Sequence, residues 1–489
     1  MRRTHSLLMA TTLVACLLLG GSTAQAGSPA QAGSTAEAGN TAEAGAAEAG
    51  GGAAEVGEAA VGGGGWSGLS QCVQPELAAY LCGELTVRLD RSDRRSKTLD
   101  LPVLVAGNPQ AKRTMLMLTG GPGQPGPVLA PRVLQAFEGI RNDYRIVMLD
   151  QRGTGANALN CPELQAERGG SDLRVPTKVA VLACAATLGA DREHYATTDS
   201  VADFEDLRRA LKVEQWAVNG VSYGTYTAQR YAAAHRSRVT HLVLDSTVPV
   251  DSFRADLAET FNEYARVLRD VCTAPGRNCP GDPAADLASV VRQDPALGPK
   301  LLEAITMMGY VDPARLLFAP EALHAAANGD SKRLGDLFAL VDRFSQAPAS
   351  QYSQGIQAAT LCLDLDFPWG GAQSPEHSRA RKADRAISKL TAEQLWPFNA
   401  ETARRNGEMV MCEYWPKVKD REVHGLSLRG VNALLLHGER DLGTPLIWAH
   451  EAHRDIPGSR LVVVPDGGHS LQVSGAGTVR QTVTDFLLS

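Results

Sequence analysis

The sequence has no excess of basic residues. Its 489 residues include 48 Lys and Arg against 54 Asp and Glu, a formal net charge of −6, with no long run of one sign. A nucleic-acid-binding protein normally presents a basic patch or stripe, and long single-sign blocks mark interaction tails. The composition therefore argues against a DNA or RNA partner and against a charged tail.

Metal-ligand spacings are also missing. The chain has no Cys-x-x-Cys pair and no cluster of histidines at ligand spacing. Zinc sites in proteins are normally built from such groups. The sequence indicates no metal and no organic cofactor.

An apolar run long enough to span a membrane is lacking too. A short basic start at residues 1–3 is followed by a mostly apolar stretch at 6–21, which Thr11 and Thr12 interrupt. A small-x-small site, Ala-Gln-Ala at 24–26, follows. This order predicts a signal peptide over residues 1–26 and a secreted protein, rather than a membrane anchor.

A lipid anchor is the alternative fate of this N-terminus. Leu-Val-Ala-Cys at 13–16 resembles the box that precedes a lipidated cysteine in bacterial lipoproteins. Modification of Cys16 would leave an extracellular, membrane-anchored lipoprotein. The apolar run continues through Leu17, Leu18 and Leu19, which favours the signal peptide.

Large apolar side chains are nearly absent from residues 27–65. Apart from Val56 and Val61 this segment is composed almost entirely of Ala, Gly, Glu, Ser and Thr. Such a segment buries too little surface to offset its ordering entropy. We interpret it as a flexible linker or pro-segment.

Cysteine, by contrast, is present nine times. Without Cys16 the count is eight, and an even count in an exported chain favours disulfides over free buried thiols. Eight cysteines allow 105 pairings, so the connectivity stays open. Neighbours in sequence suggest Cys72 with Cys82, Cys161 with Cys184, Cys272 with Cys279, and Cys362 with Cys412.

Short apolar runs typical of strands alternate with helical stretches from about Trp66 onward. The predicted strands are 84–89, 101–106, 114–118, 144–149, 216–219, 241–244, 432–436 and 460–464. Continuous apolar runs indicate strands that are covered on both faces. Strand–helix–strand order predicts an α/β fold with a mostly parallel, eight-stranded sheet.

This alternation stops between residues 249 and 423. The predicted helices there are 253–271, 283–292, 300–307, 332–344 and 376–390. Because the strand pattern resumes afterwards, we interpret 249–423 as a helical cap inserted into one core, 66–248 and 424–489, rather than as an independent domain. Caps commonly form a wall of the active-site pocket.

The sequence Gly-Val-Ser-Tyr-Gly at 220–224 is the strongest chemical signal. It follows a predicted strand and precedes a predicted helix, the context of a nucleophile elbow. A serine hydroxyl needs a base, and the base needs an orienting acid. We therefore predict Ser222 as a nucleophile, the alternative being an ordinary Gly-rich turn.

Two later strand ends supply the acid and the base in the required chain order. Asp441 follows the strand at 432–436, and His469 follows the strand at 460–464. His437 is a rival base, although it lies too close to its strand. The rival acids are Glu439 and Asp466.

Backbone N–H groups are expected to hold the oxyanion. One comes from Tyr223, the residue after the nucleophile, and the other from the Gly-rich loop at 119–126, where Gly121 is the candidate. The loop also matches a Gly-x-Gly-x-x-Gly dinucleotide motif. However, Pro122 and Pro125 remove N–H donors that a pyrophosphate would need.

Together these motifs resemble the alpha/beta-hydrolase fold, and within it the proline iminopeptidase and tripeptidyl aminopeptidase group of secreted actinobacterial peptidases. The core motifs are Gly-Gly-Pro-Gly at 120–123, Asp-Gln-Arg-Gly at 150–153, the elbow at 220–224, Arg-Asp at 440–441 and Gly-His at 468–469. Cys-Leu-Asp at 362–364 and Cys-Glu-Tyr-Trp-Pro at 412–416 resemble the tripeptidyl branch. Thr119 stands where relatives often carry His.

The resemblance implies a serine aminopeptidase that acts on peptides with free N-termini. It also implies a Cys362–Cys412 disulfide that ties the cap to the returning core. A cap carboxylate is the natural partner of the substrate ammonium. Asp364 is the first candidate, and the others are Asp366, Glu303 and Glu321. The alternatives are an esterase with the same triad, and a catalytically silent binding protein.

Overall fold

The computed structural model describes residues 64–250, 254–274, 276–311, 313–418, 425–474 and 477–489. The predicted signal peptide, Cys16 and nearly all of the predicted linker lie outside the described residues. No helix within the described ranges is both long and apolar enough to cross a membrane.

One sheet forms the centre of the molecule. In chain order its strands are β1 Gly65–Trp66, β2 Ser70–Gln71, β3 Leu81–Arg88, β4 Thr98–Gly107, β5 Arg113–Leu118, β6 Tyr144–Leu149, β7 Trp216–Val221, β8 Val239–Asp245, β9 Ala433–Gly438 and β10 Arg460–Val464. They lie in the order β1-β3-β4-β6-β5-β7-β8-β9-β10, and β2 pairs with β3.

The eight longer strands are those that the sequence predicts. β6, β5, β7, β8, β9 and β10 are mutually parallel, whereas β3 and β4 pair antiparallel at one edge. The additional strands, β1 and β2, are two residues long and pair with β3. Every residue of β7 and of β9 is buried, as expected for strands covered on both faces.

The helices that precede β8 and those that follow β9 flank the sheet. They are α1 Ala130–Val133, α2 Pro162–Arg168, α3 Lys178–Leu188, α4 Thr197–Ala210, α5 Tyr223–Ala234, α16 Leu446–Asp455, α17 Leu471–Ser474 and α18 Gly477–Leu488. Those between β8 and β9 are α6 Phe261–Asp270, α7 Pro283–Gln293, α8 Leu297–Val311, α9 Ala319–Ala327, α10 Lys332–Phe344, α11 Gln354–Asp364, α12 Glu376–Ile387, α13 Ala392–Leu395, α14 Ala400–Arg404 and α15 Gly407–Tyr414.

The helical segment between β8 and β9 has a hydrophobic core of its own, in which Phe261, Leu302 and Leu323 are buried. This core is continuous with Leu442 and Trp448 of the returning part of the chain, so the segment packs directly on the sheet's C-terminal edge. We keep the name cap for residues 249–423.

The helix predicted over 253–271 is shorter in the structure. α6 begins only at Phe261, because Leu257 adopts a left-handed conformation with φ of +57°, which a helix does not tolerate. The sequence pattern also missed α11. All of its residues are buried, including the polar Gln354, Gln357 and Thr360, so the sequence shows no apolar face set against an exposed polar face.

The bonded cysteine pairs in the structure are those that neighbours in sequence suggest. They are Cys72–Cys82, Cys161–Cys184, Cys272–Cys279 and Cys362–Cys412. The expected role of the last pair is wrong in one respect. It joins α11 to α15, two helices of the cap, because Cys412 lies well before β9 and not in the returning core.

Loss of the Cys362–Cys412 bond is expected to lower the free energy of unfolding by about 4 kcal/mol, from closure of a 50-residue loop. Urea unfolding of the Cys362→Ser/Cys412→Ser variant measures this change. The Cys272→Ser/Cys279→Ser variant, which opens a 7-residue loop, is the matched control and should lose less. Equal losses would contradict loop closure as the cause.

Candidate active site

Ser222 lies on a strained turn between β7 and α5. Its φ of +57° and ψ of −129° are rarely adopted by residues other than glycine. A Cβ on Gly220 would lie 2.3 Å from the carbonyl oxygen of Gly224, and one on Gly224 would lie 2.6 Å from that of Leu118. Both flanking glycines are therefore required by the close approach of helix and strand.

The predicted acid and base are in contact. Nδ1 of His469 lies 2.9 Å from Oδ2 and 3.0 Å from Oδ1 of Asp441. The same carboxylate accepts hydrogen bonds from the N–H groups of Gly443 and Thr444 and from the Thr444 hydroxyl. These donors hold the carboxylate in a single orientation toward the imidazole.

The two groups shift each other's pKa values in the sense that a catalytic pair requires. Burial raises the pKa of Asp441, but the charge and hydrogen bond of His469 outweigh it and hold the pKa far below its usual range. Burial lowers the pKa of His469, but the Asp441 carboxylate outweighs it and leaves that pKa above 6.5. The pair is thus arranged to stabilise an imidazolium.

The loop after His469 is held by residues that sequence reasoning missed. Asp245, at the end of β8, accepts hydrogen bonds from the N–H groups of Leu471 at 3.0 Å and Gln472 at 2.7 Å. The Ser246 hydroxyl accepts another from the Ser470 N–H at 2.9 Å. A polar residue at the C-terminal end of a parallel strand was the available signal.

The Gly-rich loop lies against the nucleophile. A Cβ on Gly120 would lie 2.8 Å from Cβ of Ser222, so only glycine allows this approach. Gly121 has φ of +111°, and its N–H belongs to the segment that lines the cavity beside Ser222. Tyr223 is the first residue of α5, where N–H groups have no acceptor within the helix.

Two chambers meet at Ser222. The apolar chamber is lined mainly by Met117, Leu129, Val133, Met307 and Val473, together with His469. The acidic chamber is lined by Glu408 and Tyr223 among apolar residues such as Leu365 and Trp448. Ser222, Gly121, Asp172 and Tyr310 line both.

Glu408 and Asp172 are the carboxylates of the acidic chamber, and the sequence singled out neither. Among the described residues no donor reaches Oε2 of Glu408, and the side chain is buried. Burial and the nearby Asp172 raise the pKa of Glu408 to about 8. Asp172 accepts hydrogen bonds from Gln357 at 2.7 Å and from the hydroxyls of Tyr310 and Tyr352.

Asp364, the predicted partner of a substrate amine, lines neither chamber. It is buried beneath α5, and its Oδ2 accepts hydrogen bonds from the Thr197 N–H at 2.8 Å and the Tyr223 hydroxyl at 3.2 Å. Through its contact with Tyr223 it helps to hold the nucleophile elbow in place. The sequence carries no signal that distinguishes a conformational role of this kind from substrate binding.

The other candidate carboxylates also lie away from Ser222. Glu303 pairs with Arg174 at 2.8 Å, and Glu321 pairs with Arg333 at 2.7 Å. Asp366 is exposed and lines neither chamber.

Two of the rival triad residues line neither chamber. His437 is fully buried within β9, where burial lowers its pKa. Asp466 is exposed and pairs with Arg440. The acid–base contact that reaches the cavity is the one between Asp441 and His469.

Comparison with known proteins agrees with this architecture. The family described as alpha/beta hydrolase fold matches residues 113–270, and the family described as TAP-like protein matches residues 397–489. The first match includes Ser222, and the second includes both Asp441 and His469.

The curated relatives include peptidases. A tripeptidyl aminopeptidase of Streptomyces lividans is 26% identical over 79% of this chain and 77% of its own. A probable proline iminopeptidase of Streptomyces coelicolor is 26% identical over 76% and 86%. A putative hydrolase, YuaR, of Escherichia coli is 28% identical over 41% of this chain and 44% of its own, less than half its length. The chain has the alpha/beta hydrolase fold, and over most of its length it is similar to a tripeptidyl aminopeptidase and to a probable proline iminopeptidase.

Proposed function

We propose that this protein is a serine aminopeptidase that hydrolyses peptides from their free N-termini. The observation that carries the proposal is Glu408, a buried carboxyl group with an unpartnered oxygen in a chamber that Ser222 also lines. Ionising a buried carboxyl group that has no partner costs free energy, and a cationic ligand stabilises the ionised form. A peptide α-ammonium is such a ligand, and two of the relatives named above are a tripeptidyl aminopeptidase and a probable proline iminopeptidase.

The chemistry follows from the positions of the side chains. Oγ of Ser222 attacks the scissile carbonyl while Nε2 of His469 takes its proton, and Asp441 stabilises the resulting imidazolium. The N–H groups of Tyr223 and Gly121 hold the oxyanion. His469 then protonates the leaving nitrogen, the C–N bond breaks, and water hydrolyses the Ser222 ester.

We expect Glu408 to change its protonation state when the substrate amine binds. With a pKa of about 8, Glu408 holds a proton in the empty chamber at neutral pH. An ammonium that enters favours the ionised form, so Glu408 loses its proton on binding. Asp172 adds negative potential from the neighbouring wall.

We also propose that the enzyme works outside the cytoplasm, with residues 1–26 as the export signal. The four disulfides support this placement, because disulfides persist in oxidising compartments.

A substrate panel tests the proposed function. Aminoacyl-, dipeptidyl- and tripeptidyl-naphthylamides, each with a free and an acetylated N-terminus, should be cleaved only in the free form. Acetylation removes the charge that Glu408 binds, so kcat/KM should fall by at least about 100-fold. Equal cleavage of both forms would contradict recognition of the free amine, and hydrolysis of nitrophenyl esters alone would indicate an esterase.

A further inference from the structure

We propose that the apolar chamber binds the first residue of the leaving peptide and selects apolar side chains there. The inference rests on the proposed aminopeptidase function and assigns its two chambers to opposite sides of the scissile bond.

The position of the catalytic residues sets the direction of the substrate. Ser222 and Gly121 line both chambers, so the scissile carbonyl belongs at their junction. Tyr223 and Glu408 line only the acidic chamber, whereas His469 lines only the apolar one. A general acid must reach the leaving nitrogen, which places the leaving peptide on the His469 side.

The position of the substrate ammonium predicts the same orientation of the bound peptide. If Glu408 binds the N-terminus, the acyl part of the substrate occupies the acidic chamber. The residue after the scissile bond then has only the apolar chamber to enter. The positions of His469 and of Glu408 thus both place the leaving residue in the apolar chamber.

The lining of that chamber determines what it accepts. Met117, Met307 and Val133 are buried and apolar, and none of the described residues that line the chamber is Lys or Arg. Asp172 is its carboxylate, and three hydrogen bonds already occupy that group. An acidic side chain would lose its hydration there without a cationic partner, while flexible Met side chains adapt to different apolar shapes.

Tyr310 divides the two chambers. Its ring meets the His469 ring edge to face, with centroids 4.5 Å apart, and its hydroxyl donates to Oδ2 of Asp172 at 3.2 Å. A Cβ on Gly443 would lie 1.9 Å from the Tyr310 ring, so the acid-bearing loop also holds the ring in place. The partition is thus fixed on two sides and keeps the two subsites separate.

Matched peptides test this assignment. They share one N-terminal acyl part and differ in the next residue, which is Leu, Phe, Ala, Asp or Lys. We expect kcat/KM for Leu to exceed that for Asp by at least about tenfold. Val473→Thr, a nearly isosteric change at a half-buried position, and Met307→Thr should each reduce this ratio. Leu365→Ala, in the acidic chamber, should change the preference for the acyl residue and leave the ratio unchanged.

Different results would contradict the chamber assignment and the proposed function. A wild-type ratio near one, or a ratio that responds to Leu365→Ala and not to Val473→Thr or Met307→Thr, would overturn the assignment. The acetylated form of each peptide is measured in parallel. Selective cleavage of the free forms with a flat ratio refutes only the chamber assignment, whereas equal cleavage of both forms refutes the proposed function. Melting temperatures confirm that each variant is folded.

Discussion

Ser222→Ala is expected to lower kcat on any cleaved peptide by about 10⁴-fold or more, because the acyl-enzyme can no longer form. Removal of a nucleophile of this kind leaves only the contribution of binding and of the oxyanion donors. Alanine occupies the same strained backbone conformation as serine at this turn, so the melting temperature should stay within a few degrees of the wild type.

Covalent labelling separates a lost nucleophile from a lost fold. A fluorophosphonate should add its phosphonyl group to the wild type on the peptide that contains Ser222, as read by mass spectrometry. Ser388→Ala, an exposed serine at the end of α12, is the matched control and should be labelled and active. Retained turnover in Ser222→Ala would contradict the predicted triad.

Glu408→Gln is expected to lower kcat/KM for free-amine peptides by about 100-fold, since it removes the counter-charge of the substrate ammonium. Nitrophenyl acetate, which carries no amine, should be hydrolysed within about threefold of the wild-type rate. Glu413→Gln, on the same helix but paired with Arg404, is the matched control and should leave both activities near wild type. Equal losses on the peptide and the ester would mean that Glu408 has a structural role.

Relative to the wild type, Glu408→Gln is expected to become more stable as the pH rises. Burial raises the pKa of Glu408 from 4.5 to about 8, so the folded state holds this proton more tightly than the unfolded state. The stability from this group is complete below pH 4.5 and is lost as the pH rises toward 8. The amide that replaces the carboxyl group in Glu408→Gln does not titrate and has no such loss. The melting temperature of the variant relative to the wild type should therefore increase between pH 5 and pH 8, and a constant difference would contradict this.

The order of motifs along the chain was enough to predict the sheet and the candidate triad. Continuous apolar runs locate buried strands because burial on both faces removes the polar alternation. Since the C-terminal ends of parallel strands meet at one edge, residues that follow β7, β9 and β10 are expected together there, as the contact between His469 and Asp441 illustrates. The catalytic role of these residues is still a prediction that the Ser222→Ala experiment tests.

The cap shows where sequence reasoning reaches its limit. Asp364 and Glu408 are both carboxylates on cap helices, and nothing local distinguishes them. Packing buries Asp364 under α5 with its hydrogen bonds satisfied, and it leaves Glu408 facing the chamber with an oxygen unpaired. Which carboxylate faces a cavity depends on how several helices cross, and that depends on contacts between residues far apart in the chain.

The sequence and its motifs were enough to predict the alpha/beta hydrolase fold and the strand ends that carry the candidate triad, and neighbours in sequence suggested the cysteine pairs. These features depend on short segments, whose periodicity, glycines and turn residues restrict the backbone locally. The position of Ser222 between an acidic and an apolar chamber, with Tyr310 as the wall between them, could be seen only in the folded structure. The chambers are spaces enclosed by side chains from the sheet edge, the loop at 170–173 and the cap, and long-range packing alone sets their walls.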